Sequence, residues 1–215
     1  MRLRNIPGAG DIIRSCPFVI QSPQTLRGKW ETCFEEKLPI HIEVGMGKGQ
    51  FLFGQAAVHP DINYIGIERY TSVLLRAIQK IDDDHPPKNI RFLCVDAADL
   101  DNIFAPEEVS RIYLNFSDPW PKERHARRRL TSAEFLSRYD RILSSDGTIE
   151  FKTDNRALFD YSLGEIDASP VWKVIKHTFD LHHTPEMSAG NMMTEYEQKF
   201  SSLGNPICKL IAARR

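Results

Sequence analysis

The chain has 215 residues, of which 41% are hydrophobic and 27% charged, enough for one substantial core and unlike a disordered or fibrous chain. A net charge of −1 excludes a generally basic nucleic-acid coat, and no apolar run approaches the ~18–20 residues of a membrane span. The start, MRLRNIPGAGDII, has no h-region and no small-residue cleavage site, and Cys16, Cys33, Cys94 and Cys208 lie far apart without a CxxC pair, so a cytoplasmic protein with reduced thiols, no signal peptide and no bound metal is expected.

Residues 1–25 lack periodicity and contain Pro7, Gly8, Gly10, Pro17 and Pro23. They predict an irregular, mobile, basic arm ahead of a single domain over 26–215. Strands are expected at 40–44, 63–68, 90–96, 109–116, 147–153, 172–181 and 207–213. The first five are short and rich in β-branched or aromatic residues, as parallel strands buried on both faces tend to be. Between them, 50–58, 71–81, a short piece near 98–104, 132–143 and 156–166 carry helical patterns. In the second, Val73, Leu74, Ala77, Ile78 and Ile81 recur at three- and four-residue spacing, which predicts an amphipathic helix. Alternation of strand and helix predicts right-handed crossovers and a doubly wound α/β sheet.

Ligands of such sheets bind beyond the carboxyl ends of the strands. The first strand ends in Glu43, followed by Gly45, Gly47 and Gly49. Glycines there permit a sharp turn and a close backbone approach to a ligand. Their spacing is neither the dinucleotide GxGxxG nor a P-loop, which weakens a nicotinamide-dehydrogenase reading. The second strand ends in Glu68, the third in Asp96-Ala97 and the fourth at Asp118. Each acid alone reads more readily as a helix N-cap or a surface carboxylate. Four at successive strand ends beside a glycine loop point to one nucleoside site. Glu68 is placed to accept from ribose hydroxyls and Asp96 from an adenine amino group. Acids rather than arginines suit a cationic nucleoside, S-adenosylmethionine.

Charge is unevenly distributed. Residues 122–129 carry Lys122, Arg124, Arg127, Arg128 and Arg129 against Glu123, and the first thirty residues carry Arg2, Arg4, Arg14, Arg27 and Lys29 against Asp11. Two basic patches on a neutral body suit a localised polyanion footprint, although either alone could be a solvated face. A non-enzymatic RNA-binding module would explain the patches but not the acids. A methyltransferase for a small molecule or protein would explain the acids but leave the basic run idle.

The segments EVGMGKGQF (43–51), YIGIE (64–68), YLNFSDPWPKERHARRRL (113–130), FKTDN (151–155) and MTEYEQKFSSLG (193–204), with RLRN near the start, resemble the bacterial tRNA (guanine-N7)-methyltransferase family. The match runs in order over most of the chain. One departure is Ile6-Pro7-Gly8-Ala9, where members often have Lys-Pro-Trp-Ala. The resemblance implies a class I methyltransferase: a Rossmann-like, doubly wound, mostly parallel seven-stranded sheet whose last strand is antiparallel. It implies methyl transfer from S-adenosylmethionine to N7 of a guanine in the variable loop of tRNA, by a monomer or homodimer. Another RNA or a small molecule is the alternative substrate.

The implied cofactor residues are Glu43, Gly45, Gly47, Glu68, Asp96, Ala97 and Asp118. The guanine is expected against Lys122, Asp154, Thr194, Glu195, Tyr196 and Glu197, with Arg124, His125, Ala126, Arg127, Arg128 and Arg129 on RNA. Guanine N7 already has a free lone pair, so its methylation needs in-line positioning rather than a base. Asp118, before the rigid Pro119-Trp120-Pro121 turn, is the candidate catalytic carboxylate, suited to the positive charge that moves from sulfur to purine. Thr194 and Glu197 also read as a capping box at a helix start. His182-His183 lacks acids or thiols at metal spacing.

Overall fold

The computed structural model describes residues 6–215, so Arg2 and Arg4 lie outside the described residues. Among these, seven strands form one sheet: β1 (Ile40–Val44), β2 (Asn63–Ile67), β3 (Ile90–Leu93), β4 (Val109–Asn115), β5 (Leu143–Thr153), β6 (Trp172–Thr178) and β7 (Cys208–Arg214). Their order is β3-β2-β1-β4-β5-β7-β6. Strands β1 to β5 pair in parallel, and β7 enters between β5 and β6 antiparallel to both. This is the doubly wound sheet that the alternation of strand and helix predicts, with the antiparallel last strand that the resemblance implies.

The helices are α1 (Ala9–Ser15), α2 (Gln50–Val58), α3 (Thr71–Ile78), α4 (Leu100–Ile103), α5 (Ala133–Ile142), α6 (Arg156–Asp167), α7 (Pro185–Ser188) and α8 (Glu195–Ser201). In β1, alternation sends Ile40, Ile42 and Val44 to one face, where they join Trp30, Leu114, Tyr139, Phe151 and Phe159. On the other face Phe51, Leu52, Leu74, Phe92 and Tyr113 form a second layer. Burying each such side chain stabilises by ~1.5–3 kcal/mol, so the two layers carry the fold. Helix α5 buries Phe135, Leu136, Tyr139 and Ile142, one stripe at helical spacing. Asn155 caps α6 by accepting from the Leu158 amide at 2.8 Å.

The arm needs correction. Residues 9–15 form α1, which begins after Gly8 at φ 77° and buries Ala9 and Ile13 in the layer that also contains α3. Ile20 donates to the Phe92 carbonyl at 3.0 Å, and the Phe92 amide donates to the Phe18 carbonyl at 2.8 Å, extending the β3 edge. A seven-residue helix is too short to display a periodic pattern, and its folding rests on packing against α3. Smaller differences occur elsewhere. Strand β5 begins at Leu143 rather than 147, β3 stops at Leu93 and α3 at Ile78. Among the described residues no helix is long and apolar enough to cross a membrane.

Candidate active site

The strand order reverses at β1, which has β2 on one side and β4 on the other. Such a reversal leaves a crevice beyond the strand ends, because successive crossovers leave in opposite directions. Here it is a cleft of about 840 Å³, lined by Gly45, Glu68, Asp96, Ala97, Phe116 and Asp118, with Ile67, Val73, Val95 and Phe135 as apolar wall.

Glu68, Asp96 and Glu43 stand at this end of the sheet in different states. Glu68 is buried; one carboxylate oxygen accepts from the Gly47 amide at 3.2 Å and the other from the Tyr70 amide at 3.0 Å. Burial raises its pKa although these backbone bonds favour the anion. Asp96 is exposed and accepts from the Ala98 amide at 3.0 Å, with Arg69 3.5 Å from its other oxygen. It is thus an N-cap and a cleft residue at once. Glu43 is 1% exposed and does not line the cleft. Its Oε1 accepts from Asn115 Nδ2 at 2.9 Å, while Oε2 has no partner among the described residues. Burial pushes its pKa up to about 8, against the opposing pull of Asn115 and Lys152. The loop above it holds Gly45 at φ 76° and Gly47 at φ 59°, values that side-chain-bearing residues rarely adopt.

The turn bearing Asp118 is conformationally unusual. Phe116 at φ 51° and Trp120 at φ 41° are both left-handed non-glycine residues, each costing roughly 1–3 kcal/mol. Arg129 holds the turn from behind. Its Nε donates to the Pro119 carbonyl and its Nη2 to the Trp120 carbonyl, both at 3.1 Å, while its guanidinium lies 4.2 Å from the Tyr161 ring centroid. Asp118 itself is exposed at the cleft and has no side-chain partner among the described residues.

The basic run forms a 3₁₀ turn, Glu123–Arg128, beside this carboxylate. Lys122, Arg124, Arg127 and Arg128 are exposed, and Arg128 stacks 4.9 Å from the Trp120 ring centroid. His125 meets Trp120 edge-on at 5.6 Å, and Ala126 is half-buried. Arg129 differs from the rest, because its donors are taken by the turn.

The residues expected at the guanine are separated by the fold. Tyr196 stacks on Phe200 at 4.0 Å and sits 4.9 Å from Phe116, and its hydroxyl lies 3.5 Å from Asp154 Oδ2. These two therefore stand beside the Asp118 turn. Thr194 caps α8 by accepting from the Glu197 amide at 2.9 Å. The reciprocal half of the capping box is absent, because the Glu197 side chain points inward. It is 0% exposed and accepts from Lys152 Nζ at 2.6 Å and Asn191 Nδ2 at 2.7 Å, with His182 Nε2 3.3 Å away. Glu195 pairs outward with Lys48 at 3.0 Å and Lys80 at 2.8 Å. In this arrangement neither glutamate faces the cleft.

Asn115 and Lys152 are the residues sequence reasoning missed. Lys152 carried a signal, the one cation at the end of a strand expected to be buried, IEFKT. Among the described residues no cluster of three or more His, Cys, Asp or Glu could hold a metal.

Residues 37–210 match the model of a family described as putative methyltransferase. A tRNA (guanine-N(7)-)-methyltransferase of Lachnoclostridium phytofermentans is 56% identical over 214 residues, covering 100% of this chain and 99% of that protein. The chain belongs to the tRNA (guanine-N7)-methyltransferase family. Another member, from Bacillus subtilis, is 49% identical over 96% of both chains. Among solved structures, an antibiotic-related methyltransferase matches with a TM-score of 0.57 at 16% identity, over 82% of this chain and 87% of that one. The 16S rRNA methyltransferase KamB matches with a TM-score of 0.56 at 16% identity, over 89% and 91%. These two share the methyltransferase fold with this family.

Proposed function

We propose that this protein transfers the methyl group of S-adenosylmethionine to N7 of a guanine in the variable loop of tRNA. The observation that carries the reading is the place of Asp118: on a strained turn, between a nucleoside-sized cleft and an exposed basic rim. The cleft fits the cofactor. Just behind the cleft lining, beneath Val44 and Gly45, Glu43 Oε2 is buried without a partner among the described residues, an acceptor that an ammonium reaching past the glycine loop would satisfy, and a Cβ added at Gly47 would meet nothing within 4 Å. The apolar wall suits an adenine ring.

When bound, S-adenosylmethionine supplies an electrophilic methyl group on a sulfonium centre. Glu68 is held by two backbone amides in one orientation, ready to accept from ribose hydroxyls. Asp96 and Ala97 close the adenine end, and Gly45 and Gly47 bring main chain close to the methionine portion. Asp118 offers an uncompensated carboxylate where positive charge passes to the purine, an electrostatic contribution that costs no reorganisation. Lys122, Asp154 and Tyr196 surround the mouth where the guanine enters. Arg124, Arg127 and Arg128 meet phosphates, which fix register on the RNA without reading sequence.

The test is mass spectrometry of tRNA incubated with the protein and S-adenosylmethionine. Formation of 7-methylguanosine at a variable-loop position is expected. Methylation of small metabolites without methylation of tRNA would overturn the reading.

A further inference from the structure

The inward turn of Glu197 leaves a buried ion pair unexplained by the cleft. Lys152, at the end of β5, is 3% exposed and lines no part of the cleft. Its three donors are all used: Glu197 Oε2 at 2.6 Å, the Met192 carbonyl at 2.9 Å and Asn191 Oδ1 at 3.1 Å. Asn191 closes a triangle by donating to the other oxygen of Glu197 at 2.7 Å. All of these partners lie in or just before α8, which carries Tyr196.

We propose that Lys152 is a positioning residue for methyl transfer, holding the 191–197 segment on the end of β5 so that Tyr196 and Asp154 stand beside the Asp118 turn. Three observations support it. Lys152 and Asp154 are two residues apart on one strand end, so an anchor at the first fixes α8 relative to the second. Lys152 is the register partner of Asn115, which holds Glu43, so the same cross-strand row ends at the cofactor side. Its ammonium also lies 5.2 Å from the Phe51 ring centroid, in the first turn of the helix that the glycine loop enters. The outer contacts of α8, from Glu195 to Lys48 and Lys80, are solvent-exposed and therefore weak. The buried pair is the anchor that removing one partner most disturbs, because a lone charge would remain in the interior.

This inference rests on the tRNA guanine-N7 reading, and its test separates the two. Lys152→Met and Asn191→Ala are compared with wild type in kcat, KM for tRNA and calorimetric affinity for S-adenosylmethionine. For Lys152→Met, kcat should fall about 100-fold, the scale of a misplacement of ~1 Å in the reacting geometry. KM for tRNA should stay within about threefold, because the phosphate contacts are untouched, and cofactor affinity should fall far less than kcat, by no more than follows from losing one of the charges that favour the Glu43 carboxylate. Amide exchange should quicken at 189–201 and not in β1 or β4. Asn191→Ala leaves no lone buried charge, and kcat should fall roughly tenfold with the same split. Should Lys152→Met fail to fold, this second variant decides. A folded variant with wild-type kcat overturns the proposal, as does a parallel loss in kcat, KM and cofactor affinity, which marks a merely structural pair. Wild-type protein that forms no 7-methylguanosine removes the functional reading instead.

Discussion

Asn115 donates its side-chain amide to Glu43 across the β1–β4 boundary at 2.9 Å, and leaves the second oxygen of that carboxylate buried with no partner among the described residues. The bond orients Glu43 without neutralising it. Burial raises its pKa from 4.5 to about 8. The folded-state value lies above the unfolded one, so the unfolded chain releases the proton first. The cost to the fold therefore grows as pH rises from about 4.5 to about 8, and is constant above. Glu43→Gln keeps an acceptor for Asn115 and removes the charge. It should stabilise the protein at pH 7 by about 1–3 kcal/mol, measured by denaturant unfolding. Cofactor affinity should rise with pH through about 8 in wild type and stay flat through that window in the variant.

Glu68→Ala should weaken S-adenosylmethionine binding by about 1.5–3 kcal/mol, the scale of one charge-assisted hydrogen bond. Part of that effect reflects the Gly47 and Tyr70 amides, which the carboxylate now satisfies. Calorimetry checks this, and an unchanged affinity removes Glu68 from the ribose role.

Asp118→Asn and Asp118→Ala should lose most methyl transfer while folding normally. The side chain is exposed and makes no side-chain bond among the described residues, so stability should change by no more than about 0.5 kcal/mol. Single-turnover assays at saturating cofactor and tRNA give the readout. Near-wild-type rates for Asp118→Ala would show that the central carboxylate is another group.

The arginines should divide into two classes. Arg127→Ala with Arg128→Ala should lower the slope of log K for tRNA against log salt by about 0.7–0.9 for every phosphate that the protein no longer neutralises. Arg129→Ala should leave that slope nearly unchanged and lower kcat and stability instead, since its donors hold the Pro119 and Trp120 carbonyls. Removing these bonds should cost about 1–3 kcal/mol. Titrations at several salt concentrations, with thermal melts, distinguish the outcomes.

Sequence alone carried the strand-end positions of the acids. Glu68, Asp96 and Asp118 sit where apolar runs stop, and a run that stops at an acid marks a strand end because an unpaired charge buried within it is costly. The glycine loop, the basic run and the parallel sheet were legible for the same reason: each is a local pattern. What sequence could not decide was which way a side chain faces once two distant segments meet. Glu197 reads as part of a polar substrate stretch, yet Lys152, 45 residues away, draws it into the interior. Arg129 reads as one more RNA cation, yet the carbonyls of Pro119 and Trp120, freed by a left-handed turn, take its donors. Even α1 forms through packing beside α3 rather than through its own pattern. Charge and periodicity are properties of residues in order; which charges find partners is decided only when the chain closes on itself and water is excluded from between them.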